Sequence, residues 1–249
     1  MIICADFDGT IHFRDDEKQT ATNLAAIKKW REAGNIFILA TNRGLGSVNR
    51  VLPNWKDYFN FLILDGGGKI VDANSELVWA NTFDPKALRR MLTAAKNNEV
   101  EPKIAYYGTA NDDFTLEMPD SPLTKIRFWF KHDAEAFLFE PKIKEINNRA
   151  FVWSHDITFR WTPTDVFKGY YAVVDVAPEM TNKAVAIHSL LKLQGLSESI
   201  ITIGDNNNDL EMLEEFNGYA ISDSIIATLY PKLPTTPSVA KLIEDNMAS

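Results

Sequence analysis

The chain has 249 residues, 45% of them hydrophobic and 24% charged, with a formal net charge of -8. That is enough apolar material for one or two packed domains, and an acidic chain without a Lys/Arg block is a poor partner for a nucleic-acid backbone. One cysteine, Cys4, excludes an internal disulfide, and no apolar run reaches the roughly 18 residues of a membrane span, so a cytoplasmic protein without a leader or membrane segment is expected.

The first 65 residues alternate strand and helix. Ile2–Ala5 reads as a short buried strand. Residues 20 to 33 carry Leu24, Ile27 and Trp30 at helical spacing, and Gly34 ends the helix. "NIFILAT" and "NFLILDGGG" are the next strands, with a helix near residues 45 to 52 between them. Such alternation implies a doubly wound, mainly parallel sheet. "KIVDANSELVWANT" then predicts a β-hairpin, and residues 84 to 97 a helix. From 103 to 176 come aromatic and β-branched runs, "KIAYYG", "TKIRFWFK", "AFVWS", "ITFRWTP" and "YYAVVDVAP", interrupted by a helix near 133 to 148. From Thr181 the first style returns: an amphipathic helix closed by Gly195, the buried strand "SIITIGD", the helix "DLEMLEEF", the strand "GYAIS" and a last helix, "SVAKLIEDNM". Pro231, Pro234 and Pro237 read as a loop. The expected organisation is an α/β core, residues 1–80 and 178–249, split by an α+β insertion at 81–177.

Three buried strands end alike. "IICA" runs into Asp6, "IFILA" into Thr41 and "IITIG" into Asp205. In a parallel sheet the carboxyl ends of the strands share one rim, where ligands bind. Asp6, Asp8, Thr41 and Asp205 are therefore expected to converge, with Asp209 four residues after Asp205 near the same rim. Crowded carboxylates repel each other unless a hard cation sits among them, and Mg²⁺ suits carboxylate, water and phosphate oxygens. The four histidines have no zinc-site spacing.

"DFDGT", "TNR", the lysine of "NKAVAI" and "GDNNND" occur in the order of the four motifs of the haloacid dehalogenase (HAD) superfamily, and the chain resembles it. The insertion is similar to a C2 cap, and "DLEMLEEFNGYAISDS" resembles the Cof-type sugar-phosphate phosphatases. The resemblance implies a Rossmann-like core and a cap that selects a small phosphorylated metabolite. It implies that Asp6 attacks phosphorus to form an aspartyl-phosphate, and that Asp8 protonates the leaving oxygen and later takes a proton from water. Thr41, Asn42, Lys183 and Asn208 would hold the phosphate; Asp6, the Asp8 main-chain carbonyl and Asp205 would hold Mg²⁺, and Asp209 would help directly or through water. Dehalogenases lack the second aspartate, so Asp8 points to phosphoryl transfer. A phosphomutase or phosphotransferase of the superfamily would use the same residues, and a non-catalytic phosphate sensor is the alternative of another class. The oligomeric state stays open, with a monomer compatible.

Two departures stand out. Asn42 occupies the usual glycine of Thr-Gly-Arg, and Ala184 follows Lys183 where glycine is frequent. "DGGGK", 65 to 69, lacks the spacing of a phosphate-binding P-loop and reads as a hairpin entry turn. Cys4, inside an apolar run, reads as a buried, inert thiol, and Phe7 is expected to point into the core.

Overall fold

A computed structural model describes residues 1–96, 104–109, 122–147, 150–154, 172–197 and 199–247. "ITFRWTP" lies outside the described residues. The chain divides into two compact units, Met1–Trp79 with Asn182–Ser249, and Ala80–Thr181. Asn81 helps to set the second boundary, since its amide donates to the Glu179 carbonyl at 2.9 Å and the Thr181 hydroxyl at 2.8 Å within the second unit.

In chain order, the elements up to the insertion are β1 (Ile2–Ala5), α1 (Glu17–Glu32), β2 (Ile36–Ala40), α2 (Leu45–Val51), β3 (Phe61–Leu64), β4 (Lys69–Asp72) and β5 (Leu77–Ala80). The insertion contains α3 (Pro85–Lys96), β6 (Ile104–Thr109), β7 (Leu123–Phe130), α4 (Asp133–Lys144), β8 (Ala150–Ser154) and β9 (Ala172–Val176). Then follow α5 (Lys183–Gln194), β10 (Ile200–Gly204), α6 (Leu210–Glu215), β11 (Asn217–Ile221), α7 (Ile225–Leu229), β12 (Thr235–Thr236) and α8 (Val239–Met247).

The first sheet runs β12-β11-β10-β1-β2-β3-β4-β5. The strands from β12 to β3 pair in parallel, and β4 turns back antiparallel to β3. This is the doubly wound, mainly parallel sheet that the strand–helix alternation predicts. All four residues of β1 are buried because both faces are covered. Ile3 and Ala5 join Phe37, Leu39, Trp30 and Leu242 on one face. Ile2 and Cys4 join Ile38, Ile187, Leu190 and Met212 on the other. Burial pushes the Cys4 thiol far above its usual range, which makes it inert.

The second unit has its own antiparallel sheet, β6-β7-β9-β8. Ile126, Phe128 and Phe130 on β7 pack with Val174, Val176, Met91 and Phe139. The alternate residues Lys125 and Arg127 share Asp175, at 3.0 Å and 2.5 Å. Burial alone would raise the Asp175 carboxyl, but Arg127 and Lys125 outweigh it and hold it at about 2.

Helix ends follow local capping. α1 starts earlier than its apolar spacing indicates, because the Asp16 carboxylate accepts the Gln19 N–H at 2.8 Å. The segment read as a proline-marked loop holds one further element, β12, and the short helix α7 ends just before it. Ser224 caps α7 by accepting the Ala227 N–H at 3.2 Å. β12 fits between Pro234 and Pro237, pairing Thr235 with Ala220 and Thr236 with Ile221. Proline has no N–H to donate, so the strand stays two residues long.

One buried amide ties the loop after β1 to both flanking helices. Asn23 Nδ2 donates to the Thr10 carbonyl at 3.2 Å and the Ile11 carbonyl at 3.1 Å, while Oδ1 accepts the Ala240 N–H at 3.1 Å. Asn23→Ala strands these buried groups and is expected to cost about 2–3 kcal/mol. Urea unfolding measures it; a loss near zero would remove Asn23 from this role.

Candidate active site

β1 and β10 are neighbours in the parallel sheet, with Ala5 opposite Ile203. Their carboxyl ends lie side by side where the chain order of the sheet reverses, which is where open α/β sheets hold ligands. Asp6 and Asp205 therefore leave adjacent strands, and the Asp6 N–H still donates to the Ile203 carbonyl at 3.0 Å. The chain then turns tightly: the Ile11 and His12 amides donate to the Phe7 carbonyl, and the Phe7 ring is buried in the core as expected. Gly9 has φ +87, and a side chain there would run into the Asp205 carboxylate. Thr10 Oγ1 donates to Asp205 Oδ1 at 3.0 Å from 195 positions away.

Lys183 opens α5, whose N-cap Asn182 accepts the Val185 N–H at 2.7 Å. Its side chain is only 1% exposed, and its ammonium donates to Asp6 Oδ1 and, at 2.6 Å, to Asp209 Oδ1. Gly67, at φ +104, lies so close to the Asn182 carbonyl that a Cβ would displace it. Asp209 does not cap the helix that follows it. A short 3₁₀ turn, Asn207–Asp209, turns its carboxylate back, and Oδ2 accepts the N–H groups of Asp205 and Asn206, each at 3.1 Å. One oxygen from each of Asp6, Asp205 and Asp209 lies within 4.8 Å of the others.

The remaining expected residues stand on the loops of the same sheet. Thr41 is buried after β2; its amide donates to the Ile63 carbonyl at 2.8 Å and its hydroxyl accepts the Arg43 N–H at 3.2 Å. The Asn42 side chain lies over Gly66, and Asn208 is half-buried in the 3₁₀ turn. Asp8 is exposed and both its oxygens accept from Arg43, at 2.6 and 2.7 Å. Sequence reasoning assigned no role to Thr10 or Arg43, although both belong to the quoted "DFDGT" and "TNR" runs. In the "DGGGK" turn the amides of Asp65, Gly66, Gly67 and Gly68 are already taken, donating to the carbonyls of Arg43, Thr41, Leu64 and Leu64.

The profile of the haloacid dehalogenase-like hydrolases matches residues 3–227. The chain belongs to this family. No curated protein matches the sequence. Among solved structures, a HAD-like hydrolase from Bacteroides thetaiotaomicron aligns with a TM-score of 0.71 and 18% identity, over 98% of both chains. A HAD/COF-like hydrolase from Plasmodium vivax aligns at 0.73 and 17%, over 99% of this chain and 95% of that one. A HAD subclass IIB sugar phosphatase aligns at 0.68 and 13%, over 98% of each. At these identities the likeness is one of fold. No helix among the described residues is long and apolar enough to cross a membrane.

The electrostatics of this HAD-like site are those of three carboxylates around one ammonium. Burial would lower the Lys183 ammonium, but Asp209 and Asp6 outweigh it, so Lys183 stays charged. Burial pushes the Asp6 carboxyl up, with Asp209 and Asp205 adding to it against the pull of Lys183. Asp205 rises to about 6, first through burial and then through Asp209. The excess negative charge and the hard oxygen donors fit a divalent cation such as Mg²⁺.

The sign of the pH dependence follows. A carboxyl raised in the folded state holds its proton more tightly there than in the unfolded chain, so its ionisation opposes folding as pH climbs from about 4 through about 6. Without added metal, Asp205→Asn should therefore raise Tm at pH 7.5, by roughly 2–4 °C for an effect near 1 kcal/mol. At pH 4 the gain should vanish, because the wild-type carboxyl is already neutral. Thermal unfolding at the two pH values checks this; an equal shift at both would reject the electrostatic cause.

Proposed function

We propose that the chain is a Mg²⁺-dependent phosphomonoesterase acting on a small phosphorylated metabolite, with a sugar phosphate as the favoured class. The observation that carries this reading is the Lys183 ammonium held between Asp6 and Asp209, with Asp205 alongside. It makes a compact, buried, oppositely charged cradle on the rim of a HAD-like sheet.

In this reading an Asp6 carboxylate oxygen attacks phosphorus while the bond from phosphorus to the ester oxygen breaks. The departing oxygen takes the Asp8 proton. Water then attacks the aspartyl-phosphate, gives a proton to Asp8, and the Asp6–phosphorus bond breaks to release phosphate and restore both aspartates. Lys183, always charged, steadies the phosphoryl oxygens and keeps Asp6 aligned; the Thr41 hydroxyl, the Asn42 amide and Asn208 supply further donors. Asp6, Asp205 and the Asp8 main-chain carbonyl would hold Mg²⁺. Both Asp209 oxygens already accept hydrogen bonds, which favours a role through water for that residue. Bound there, Mg²⁺ would supply charge neutralisation of the phosphate.

The test is phosphate release from p-nitrophenyl phosphate and a panel of sugar phosphates and bisphosphates. Turnover should require Mg²⁺ and stop with a chelator. Asp6→Asn should lower kcat on the order of a thousandfold or more. No release from any ester would end the phosphatase reading, and interconversion of sugar monophosphates primed by a bisphosphate, without release of phosphate, would replace it with a mutase.

A further inference from the structure

Arg43 is held from every side, yet none of the steps above uses it. Nε donates to Asp8 Oδ2 at 2.6 Å and Nη2 to Asp8 Oδ1 at 2.7 Å. Nη1 donates to Ser47 Oγ on α2 at 3.0 Å. The guanidinium lies 5.6 Å from the centroid of the buried Phe7 ring, on which His12 also stacks with centroids 5.1 Å apart. The backbone is fixed as well: the Arg43 N–H donates to Thr41 Oγ1, and its carbonyl accepts the Asp65 N–H at 3.0 Å. Asp8 is in the opposite situation. Its side chain is 49% exposed, on a turn, where a carboxylate has rotamers to lose.

We propose that Arg43 is the positioning residue for the Asp8 carboxyl group in proton transfer, a role that rests on the phosphatase reading above. A guanidinium fork matches a carboxylate in plane and in spacing, which a lysine ammonium does not. The two bonds make the grip redundant. When one Asp8 oxygen carries the proton destined for the leaving group, the other still accepts from Arg43, so the side chain stays aimed. Proton transfer depends on such aim, because a donor off its line of approach contributes little. The anchors on Ser47 and Phe7 keep the fork itself from following Asp8 into solvent.

The role separates esters by leaving group. A p-nitrophenolate leaves with little help from a proton, whereas the alkoxide of a sugar or glycerol phosphate needs one. In the full chain with Mg²⁺, Arg43→Ala should lower kcat for an alkyl phosphate by about 100-fold, and for p-nitrophenyl phosphate by less than about tenfold. KM should stay within about threefold for both, since the interaction serves the transition state and not substrate binding. Millimolar guanidinium should restore part of the alkyl-ester rate in Arg43→Ala. Arg43→Lys keeps a cation near Phe7 without the fork, should fold if Arg43→Ala does not, and should show the same selective loss. Equal losses on the two esters, or a KM rise with kcat unchanged, would overturn the assignment of Arg43 while wild-type turnover keeps the phosphatase reading. A wild-type chain inactive on both esters would overturn that reading and this role with it.

Discussion

The buried ammonium of Lys183 is the contact on which the site depends. It joins Asp6 at the end of β1 to Asp209 beyond β10, from the first turn of α5. A charge so far from water is tolerable only when paired and hydrogen-bonded, so each of the three residues requires the others. One ammonium cannot balance three carboxylates. The remainder of the charge, on Asp6 and Asp205, leaves a cradle of hard oxygen donors that fits a cation. Close approach follows from the same constraint. Glycine at 9 lets Asp205 lie against the turn, and glycine at 67 lets the hairpin entry reach the start of α5.

The sheet supplies the convergence. Because β10 returns to pair beside β1, residues from both ends of the chain reach one rim without any long loop. The two acids of "DFDGT" thereby acquire different surroundings. Asp6 is buried beside an ammonium, and Asp8 faces solvent in the fork of Arg43. Phe7 between them is the pivot: its buried ring anchors the turn and gives Arg43 a surface to lie on. The inserted unit has its own core and its own charge cluster at Asp175.

Much of this was legible in the residues. Runs of apolar residues ending in Asp or Thr marked the central strands, since a strand covered on both faces carries no polar alternation. Ile126, Phe128 and Phe130 marked the packed face of β7 by period two. The short elements α7 and β12 were not legible, because five- and two-residue segments have too few positions to establish a period, and flanking prolines read as loop. Asp209 could be placed near the rim but not aimed. Its direction comes from the 3₁₀ turn before α6, which local propensity does not specify. The glycine run at 65 to 69 left its amides unassigned, and the carbonyls they bond belong to Thr41, Arg43 and Leu64.

By itself, the sequence determined the strand–helix order and named the acids Asp6, Asp205 and Asp209 and the lysine Lys183 that meet at one rim. These depend on residue type and period, which are local properties. Only the tertiary structure decided which atoms meet: that Lys183 bridges Asp6 and Asp209, that Thr10 orients Asp205, and that Arg43 takes hold of Asp8. Those contacts join residues up to 195 positions apart. They are set by strand register and turn geometry, which emerge only when the sheet closes around its core.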